Sequence, residues 1–323
     1  MSTPILDVLI IGGGPAGLSV ATALARQLYT AIVFDSGVYR NARAKHMHNV
    51  PTWDHKDPAD FRAKARKDLL ARYSTIQFAE EGTKIESVRK TSRGVFQATD
   101  DKGRVWNGRK LVLASGLRDV YPDIEGYDDV WARGVYHCLF CHGYEERGAA
   151  SAGVLAIGEV ANPMPAVHMA RMAKRLAEKV TVYTDGAEEL SEELAVALAD
   201  DAFTIDKRRI VKLEKGVGSD SEVVVHLAQE DGEVEVVKHG FITHKPKAEL
   251  NGPFAFQLGL ELTEMGVIKT TPPFYEASVK GVFAVGDCAS PMPAVTNAIA
   301  MGTFAAAGLA GQLQAEPVPT DVE

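Results

Sequence analysis

Two cysteines three residues apart, Cys138 and Cys141, lie between two histidines in the run His137-Cys138-Leu139-Phe140-Cys141-His142. That spacing admits several chemistries. Paired thiolates can hold zinc, but a structural zinc site needs a second ligand pair at matching spacing, and none is present. Cys-x-x-Cys-His is also the attachment signature of c-type haem; that chemistry needs export, and no export signal is read in the sequence. The third chemistry is redox. Thiols this close can form a small disulfide loop, and an imidazole with an ordinary pKa of about 6.5 suits proton movement near neutral pH. Two buried structural cysteines are the remaining reading.

A second group of residues could hold a cofactor. Gly12-Gly13-Gly14-Pro15-Ala16-Gly17 follows an apolar, β-branched run, Ile5 to Ile11, and opens an Ala-rich helical stretch. Gly12 would make the tight turn, Gly14 would let the backbone approach a pyrophosphate, and Gly17 would let helix and strand pack closely. The helix start then offers free N–H donors to phosphate. Asp35 follows at the end of the next short strand, where a carboxylate can accept from ribose hydroxyls. These features predict dinucleotide binding. A related pattern begins at Val154 but degrades at Gly158-Glu159-Val160-Ala161-Asn162-Pro163. Only the first glycine survives there, and Pro163 has no N–H to donate. The following strand ends at Asp185, which could face a ribose, with no Arg beside it to grip a 2′-phosphate. An NADP site in this half is not expected.

The elements that must position these residues read as α/β. A strand–glycine–helix–strand unit spans Ile5 to Phe34, and Asp57 with Pro58 begins a helix to Tyr73. Strand-like runs follow at Ser87–Ala98 and Val105–Leu113. The second unit has a strand at Val154–Ile157, a helix at about Pro165–Glu178, and a strand at Val180–Tyr183. Val223–Leu227 and Glu233–Val237 can pair across Gly232. Gly281–Val285 is a further strand, and Ala294–Gln314 a C-terminal helix. The tail from Glu316, with two prolines, reads as loose. The pattern predicts two Rossmann-like, three-layer domains. Residues 1–117 and 245–323 form a split first domain, and 118–244 an inserted one.

The 323 residues suffice for two cores, with 46% hydrophobic and 24% charged residues. Disorder is excluded by that composition. A net charge of −8 disfavours nucleic acid as a partner. The most apolar stretch, Val8 to Leu24, is broken by glycines and a proline, so neither a membrane span nor a signal peptide is expected. Three cysteines make no extracellular framework, and a cytoplasmic address is the default. No resident metal is expected.

Several segments carry a resemblance. Gly281-Val-Phe-Ala-Val-Gly286-Asp287 resembles the second FAD motif of the flavoprotein disulfide reductases, and Ala114-Ser115-Gly116 stands where they have Ala-Thr-Gly. The order of motifs resembles the low-molecular-weight thioredoxin reductases over almost the whole chain. Those carry an Asp after the second cysteine, where this chain has His142. Phe34-Asp-Ser-Gly-Val-Tyr-Arg-Asn41, His46-Met-His-Asn49, Trp53-Asp-His55 and His137 to Glu146 are similar to the gliotoxin oxidoreductase-like dithiol oxidases within that superfamily.

The resemblance implies FAD as cofactor and oxidation of a small-molecule dithiol to a cyclic disulfide in secondary metabolism, with O2 as acceptor. It further implies a homodimer. Carried over for FAD are Gly12, Gly13, Gly14, Pro15, Ala16, Gly17, Asp35, Ser36, Arg40, Asn41, Asn49, Ala114, Gly116, Gly286 and Asp287. Ala294 and Val295 are placed near the flavin ring. Cys138 becomes the interchange sulfur, Cys141 the flavin-proximal one, and His142 and His137 the candidate bases. Trp53 or Phe140 could wall a substrate pocket, and Cys288 reads as a buried small residue. An NAD(P)H-driven disulfide reductase and a non-turnover flavin redox sensor are the alternative functions.

Overall fold

The computed structural model describes residues 4–319 and 322. The chain divides into two compact units. One comprises the chain up to Ala42, Val50–Arg118 and everything from Glu249; the other comprises Arg43–Asn49 and Asp119–Ala248.

The first unit is built on a nine-stranded sheet whose central strands are parallel. Ile5–Ile11 lies between Ala31–Phe34 and Val105–Leu113, and Val282–Ala284 adds to the far edge of Val105–Leu113. Val8, Leu9, Ile10, Val33 and Val112 are fully buried. That burial on both faces is why these runs are continuously apolar rather than alternating. An antiparallel hairpin, Ile85–Lys90 with Phe96–Asp100, extends the sheet. The stretch Ser87–Ala98, expected to contain strand-like runs, takes in parts of both strands and the turn between them. Pro15–Ala25 and Val295–Ala315 pack on the sheet, and Gly302 makes their close approach possible: a Cβ there would lie 2.5 Å from the Ala16 carbonyl oxygen. Pro58–Arg72 is helical, and Asp57 caps it by accepting from Ala59 N at 2.6 Å. The tail is not loose at its start. Glu316 pairs with Lys110 at 2.6 Å and Lys280 at 3.0 Å, and its carbonyl oxygen accepts from Arg109. A count of prolines could not reveal those cations, which lie far off in sequence. The rest of the expected loose tail at 320, 321 and 323 falls outside the described residues.

The second unit holds a five-stranded parallel sheet, in the order Phe203–Asp206, Ala177–Tyr183, Ala149–Leu155, Phe241–Thr243 and Val135–Tyr136. A three-stranded antiparallel sheet accompanies it, and Val223–Ala228 with Val234–His239 forms the expected hairpin, Gly232 taking φ +86° at its turn. Its third strand, Ile210–Lys215, was not foreseen. The helix expected from Pro165 runs instead from Pro163 to Lys174. Pro163 is a helix starter here: it sits at the first helical position and costs no hydrogen bond.

Two buried histidines knit this unit. His239 Nε2 meets the Tyr183 hydroxyl at 2.6 Å and its Nδ1 meets Ser151 Oγ at 3.0 Å. His244 Nε2 donates to the Ile157 carbonyl, so its Nδ1 accepts from Tyr127, at 2.7 Å. Burial lowers both imidazoles to about 4. In the unfolded chain they titrate near 6.5, so protons favour unfolding between those values. The stability gained from the neutral rings is full above about pH 6.5 and is lost as pH falls towards 4. Each can contribute up to ~3 kcal/mol. Urea unfolding of the second unit should therefore show a steep loss of stability from pH 7 to 4.5. His239→Gln, which does not titrate, should flatten that dependence.

Candidate functional site

The glycine motif forms a cradle in the first unit. Gly12 takes φ +120°, and a Cβ on it would lie 2.1 Å from the Ala114 carbonyl oxygen. Gly17 is equally constrained, because its Cβ would lie 2.0 Å from the Gly12 carbonyl oxygen. These two glycines serve the fold. Gly14 differs: a Cβ there would meet no protein atom within 4 Å, so nothing in the chain demands glycine. It caps the helix Pro15–Ala25 without any side-chain hydrogen bond, leaving the helix start to offer N–H groups to a phosphate. Ala16 and Pro15 begin that helix, and Gly286, at φ +76°, brings its turn against Ala16; a Cβ there would stand 2.9 Å from the Ala16 Cβ.

Asp35 lies against the backbone of Gly13, whose Cβ would fall 2.2 Å from the carboxylate. It accepts from Gly37 N at 3.1 Å and from the Tyr39 hydroxyl at 2.7 and 2.8 Å. Tyr39 belongs to the segment quoted for the resemblance but had no role assigned. The Arg62 guanidinium lies 3.8 Å from its ring centre, and burial, with Asp35 next, raises its phenol. Arg62 also donates to Asn41 Oδ1 at 3.0 Å. Arg40 pairs with Asp287 at 3.2 Å, joining two residues 247 positions apart. Ser36 Oγ accepts from Val38 N. Gly116, at φ +70°, accepts through its carbonyl from Asn251 N. Ala294 and Val295 stand at the start of the C-terminal helix, again with no side-chain cap. Cys288 is inert: it is fully buried, contacts the Leu113 and Val285 carbonyl oxygens, and burial pushes its thiol up to about 11.

The open space over Gly14, the uncapped helix start and the Asp35 carboxylate fit an adenine dinucleotide with its pyrophosphate on the helix. Gly14→Ala should fold normally, since φ −76° and ψ −177° suit alanine, yet bind FAD at least ~10-fold more weakly. Equilibrium dialysis against an unchanged melting temperature checks this.

The redox pair belongs to the second unit. The edge strand Val135–Tyr136 leads into a one-turn helix, Leu139–His142, anchored by the buried Leu139. Cys138 precedes that helix and its carbonyl oxygen accepts from both Cys141 N and His142 N at 3.1 Å. Cys138 and Cys141 form a disulfide with their Cα atoms 5.2 Å apart. Gly143 permits the exit: a Cβ there would lie 2.1 Å from the Leu139 carbonyl oxygen. Phe140, between the cysteines, is 76% exposed.

His142 stacks on Tyr136, ring centres 5.2 Å apart, and Tyr136 is fixed by Ser221, which in turn donates to Glu146 at 2.6 Å. Burial first, and then the neighbouring His48, lower His142 to about 4. That corrects the ordinary value near 6.5 expected from residue type: next to the closed disulfide, His142 is a neutral ring. His137 stacks on Trp131 at 5.6 Å. Asn49, carried over as a cofactor residue, lies in the second unit, where its Nδ2 donates to the Phe140 carbonyl oxygen at 2.9 Å. His48 takes the next carbonyl, that of Cys141, at 2.6 Å. Trp53 packs edge-on against Phe61 in the first unit.

The degraded glycine motif is closed by its own residues. Val160 is fully buried, and Asn162 caps the helix Pro163–Lys174 by accepting from Met164 N at 3.2 Å. Asp185 accepts from Ile210 N at 2.7 Å and pairs with Arg209 at 3.4 Å, which corrects the expectation that no arginine stands beside it: Arg209 is distant in sequence and is brought there by the fold.

A family model described as pyridine nucleotide-disulphide oxidoreductase matches residues 6–302. Thioredoxin reductase aclD of Aspergillus oryzae is 46% identical over 316 residues, covering 97% of this chain and 98% of the relative. Thioredoxin reductase sirT of Leptosphaeria maculans is 46% identical over 311 residues, covering 94% and 93%. The crystal structure of an oxidoreductase from Agrobacterium tumefaciens is 30% identical, with a TM-score of 0.84 over 97% of this chain and 100% of the other.

Proposed function

The chain belongs to the pyridine nucleotide-disulphide oxidoreductase family, and we propose that it oxidises a small-molecule dithiol to an internal disulfide through Cys138 and Cys141. FAD is the cofactor of this family, and the cradle from Gly12 to Gly17 fits it. O2 is the final acceptor in this reading, and the product is a cyclic disulfide of the kind made in secondary metabolism.

One observation carries the reading. The nucleotide motif of the second unit has filled its own helix start with Asn162 and Pro163 and engaged its acid, Asp185, while the redox pair is intact. In this reading electrons enter from the thiol side and not from a nicotinamide.

A substrate thiolate attacks Cys138 Sγ, forming a mixed disulfide and releasing Cys141 as thiolate. The second substrate thiolate then attacks the substrate sulfur of that bond. The cyclic disulfide leaves, and Cys138 departs as thiolate. Two electrons have moved from substrate to enzyme. His142, neutral beside the closed disulfide, can accept a proton; the thiolate that opens beside it favours the charged ring. Bound FAD supplies two-electron exchange between the reduced pair and O2, giving H2O2 and restoring the disulfide.

The names of the fungal relatives favour a second reading, a nicotinamide-driven disulfide reductase. Steady-state O2 uptake with a small dithiol separates the two. Uptake matched by H2O2, with no nicotinamide present, supports the oxidase. Turnover that needs NADPH supports the reductase. We also read the enzyme as a homodimer, as its resemblance implies. Among the described residues no helix is long and apolar enough to cross a membrane.

A further inference from the structure

The segment Arg43–Asn49 leaves the first unit in the chain but belongs with the second. Its last two residues grip the redox turn. His48 Nδ1 donates to the Cys141 carbonyl oxygen at 2.6 Å, and Asn49 Nδ2 to the Phe140 carbonyl oxygen at 2.9 Å. Consecutive residues of an extended chain point to opposite faces. Asn49 avoids this by taking φ +61°, a left-handed conformation that asparagine tolerates better than most residues. Both side chains therefore reach adjacent carbonyls.

His48 has a second partner: its Nε2 lies 3.2 Å from Glu145 Oε1. A carbonyl and a carboxylate can only accept. Both contacts are hydrogen bonds only when both ring nitrogens carry protons, and the ring is then an imidazolium. We propose that His48, held between Glu145 and the Cys141 carbonyl oxygen, is a positioning residue whose positive charge stabilises the Cys141 thiolate once the disulfide opens. This rests on the reading of the pair as redox-active.

The surroundings support a division of roles. Within the second unit, titratable groups at this end of the turn include His46 and His48 on the segment, and His142 and Glu145 on the turn's own chain. His48 is one of the groups that keep His142 neutral. One imidazole thus holds the charge while its neighbour, 6.4 Å away between ring centres, keeps a lone pair for a proton. The exposed carbonyls at a helix end are partial negative charges and oppose a thiolate beside them. Engaging both with donors, one of them cationic, removes that opposition; cations near a cysteine are known to lower its pKa by one or more units.

The test uses the FAD-bound Cys138→Ser protein, in which Cys141 is the reactive thiol because Cys288 is buried. The rate of alkylation by iodoacetamide is measured against pH. Adding His48→Ala should slow alkylation about tenfold at pH 7 and move the profile up by about one unit. His48→Arg, which keeps charge and donors, should restore it. His48→Asn, close in size and able to keep the bond to the carbonyl, should fold but leave the profile shifted. Profiles that coincide with and without His48→Ala, or full restoration by His48→Asn, would overturn the proposal. Alkylation reports on the thiolate alone. If no dithiol supports O2 uptake while the profile still shifts, the oxidase reading fails and the role of His48 stands.

Discussion

Replacing Cys138 with serine is expected to abolish dithiol oxidation, by at least ~10⁴-fold, with FAD still bound. The substrate then has no disulfide to attack. Cys141 remains as a lone thiol beside His142, and its thiolate should show a charge-transfer absorbance band with the oxidised flavin. Cys141→Ser should lose turnover to the same extent, because the pair can no longer pass electrons on. It leaves Cys138 able to form a lasting mixed disulfide with substrate, visible by mass spectrometry. FAD content should not change in either variant, since the cradle residues lie in the other unit. A charge-transfer band confined to Cys141→Ser would reverse the order of the two sulfurs.

The second large effect is expected at His142. A positioned acid–base group contributes about 10²–10⁴-fold, and His142→Ala should reduce turnover within that range while retaining FAD. The pH dependence carries the sharper information. Burial and His48 lower this ring to about 4 beside the closed disulfide, so it stays deprotonated and able to accept a proton down to that pH. The acid limb of kcat/KM, which reports the resting enzyme, should fall near pH 4 rather than 6.5, and His142→Ala should remove it. His137, stacked on Trp131, is the alternative base. If His142→Ala keeps near-normal turnover from about pH 6 to 9 and His137→Ala does not, the proton passes through His137.

Much of the scaffold was legible because local signals and long-range packing agree. Ala31–Phe34 is a strand with the ends its composition suggests, and Asp57-Pro58 starts a helix by a cap and a fixed φ that need no tertiary partner. Other boundaries moved where a side chain decided the matter. Asn162 caps a helix two residues before the one expected at Pro165, and an asparagine next to a proline reads as a loop until its Oδ1 is seen on Met164 N. Glu316 is pinned by Lys110 and Lys280, neither of which is near in sequence.

The site divides the same way. The glycines, Asp35 and the cysteine pair carry their chemistry in residue type and spacing. What spacing could not convey is which glycine serves the ligand: Gly12 and Gly17 are required by the chain itself, and Gly14 is not. Nor could it place Tyr39 on Asp35, or send His48 and Asn49 to the redox turn across more than 90 residues. The lowered pKa of His142 was hidden for the same reason. Burial is a property of the packed unit, and residue type alone implies the ordinary value.

On the proposed function, electrons enter this enzyme from a dithiol and not from a nicotinamide. Anaerobic mixing of the FAD-bound enzyme with reductant tests it directly. A small dithiol should bleach the flavin absorbance with two electrons per dithiol, one equivalent of NADPH should leave it nearly unchanged on the same timescale, and admitting O2 should restore the colour with release of H2O2. Rapid bleaching by stoichiometric NADPH, with no response to dithiol, would contradict the account.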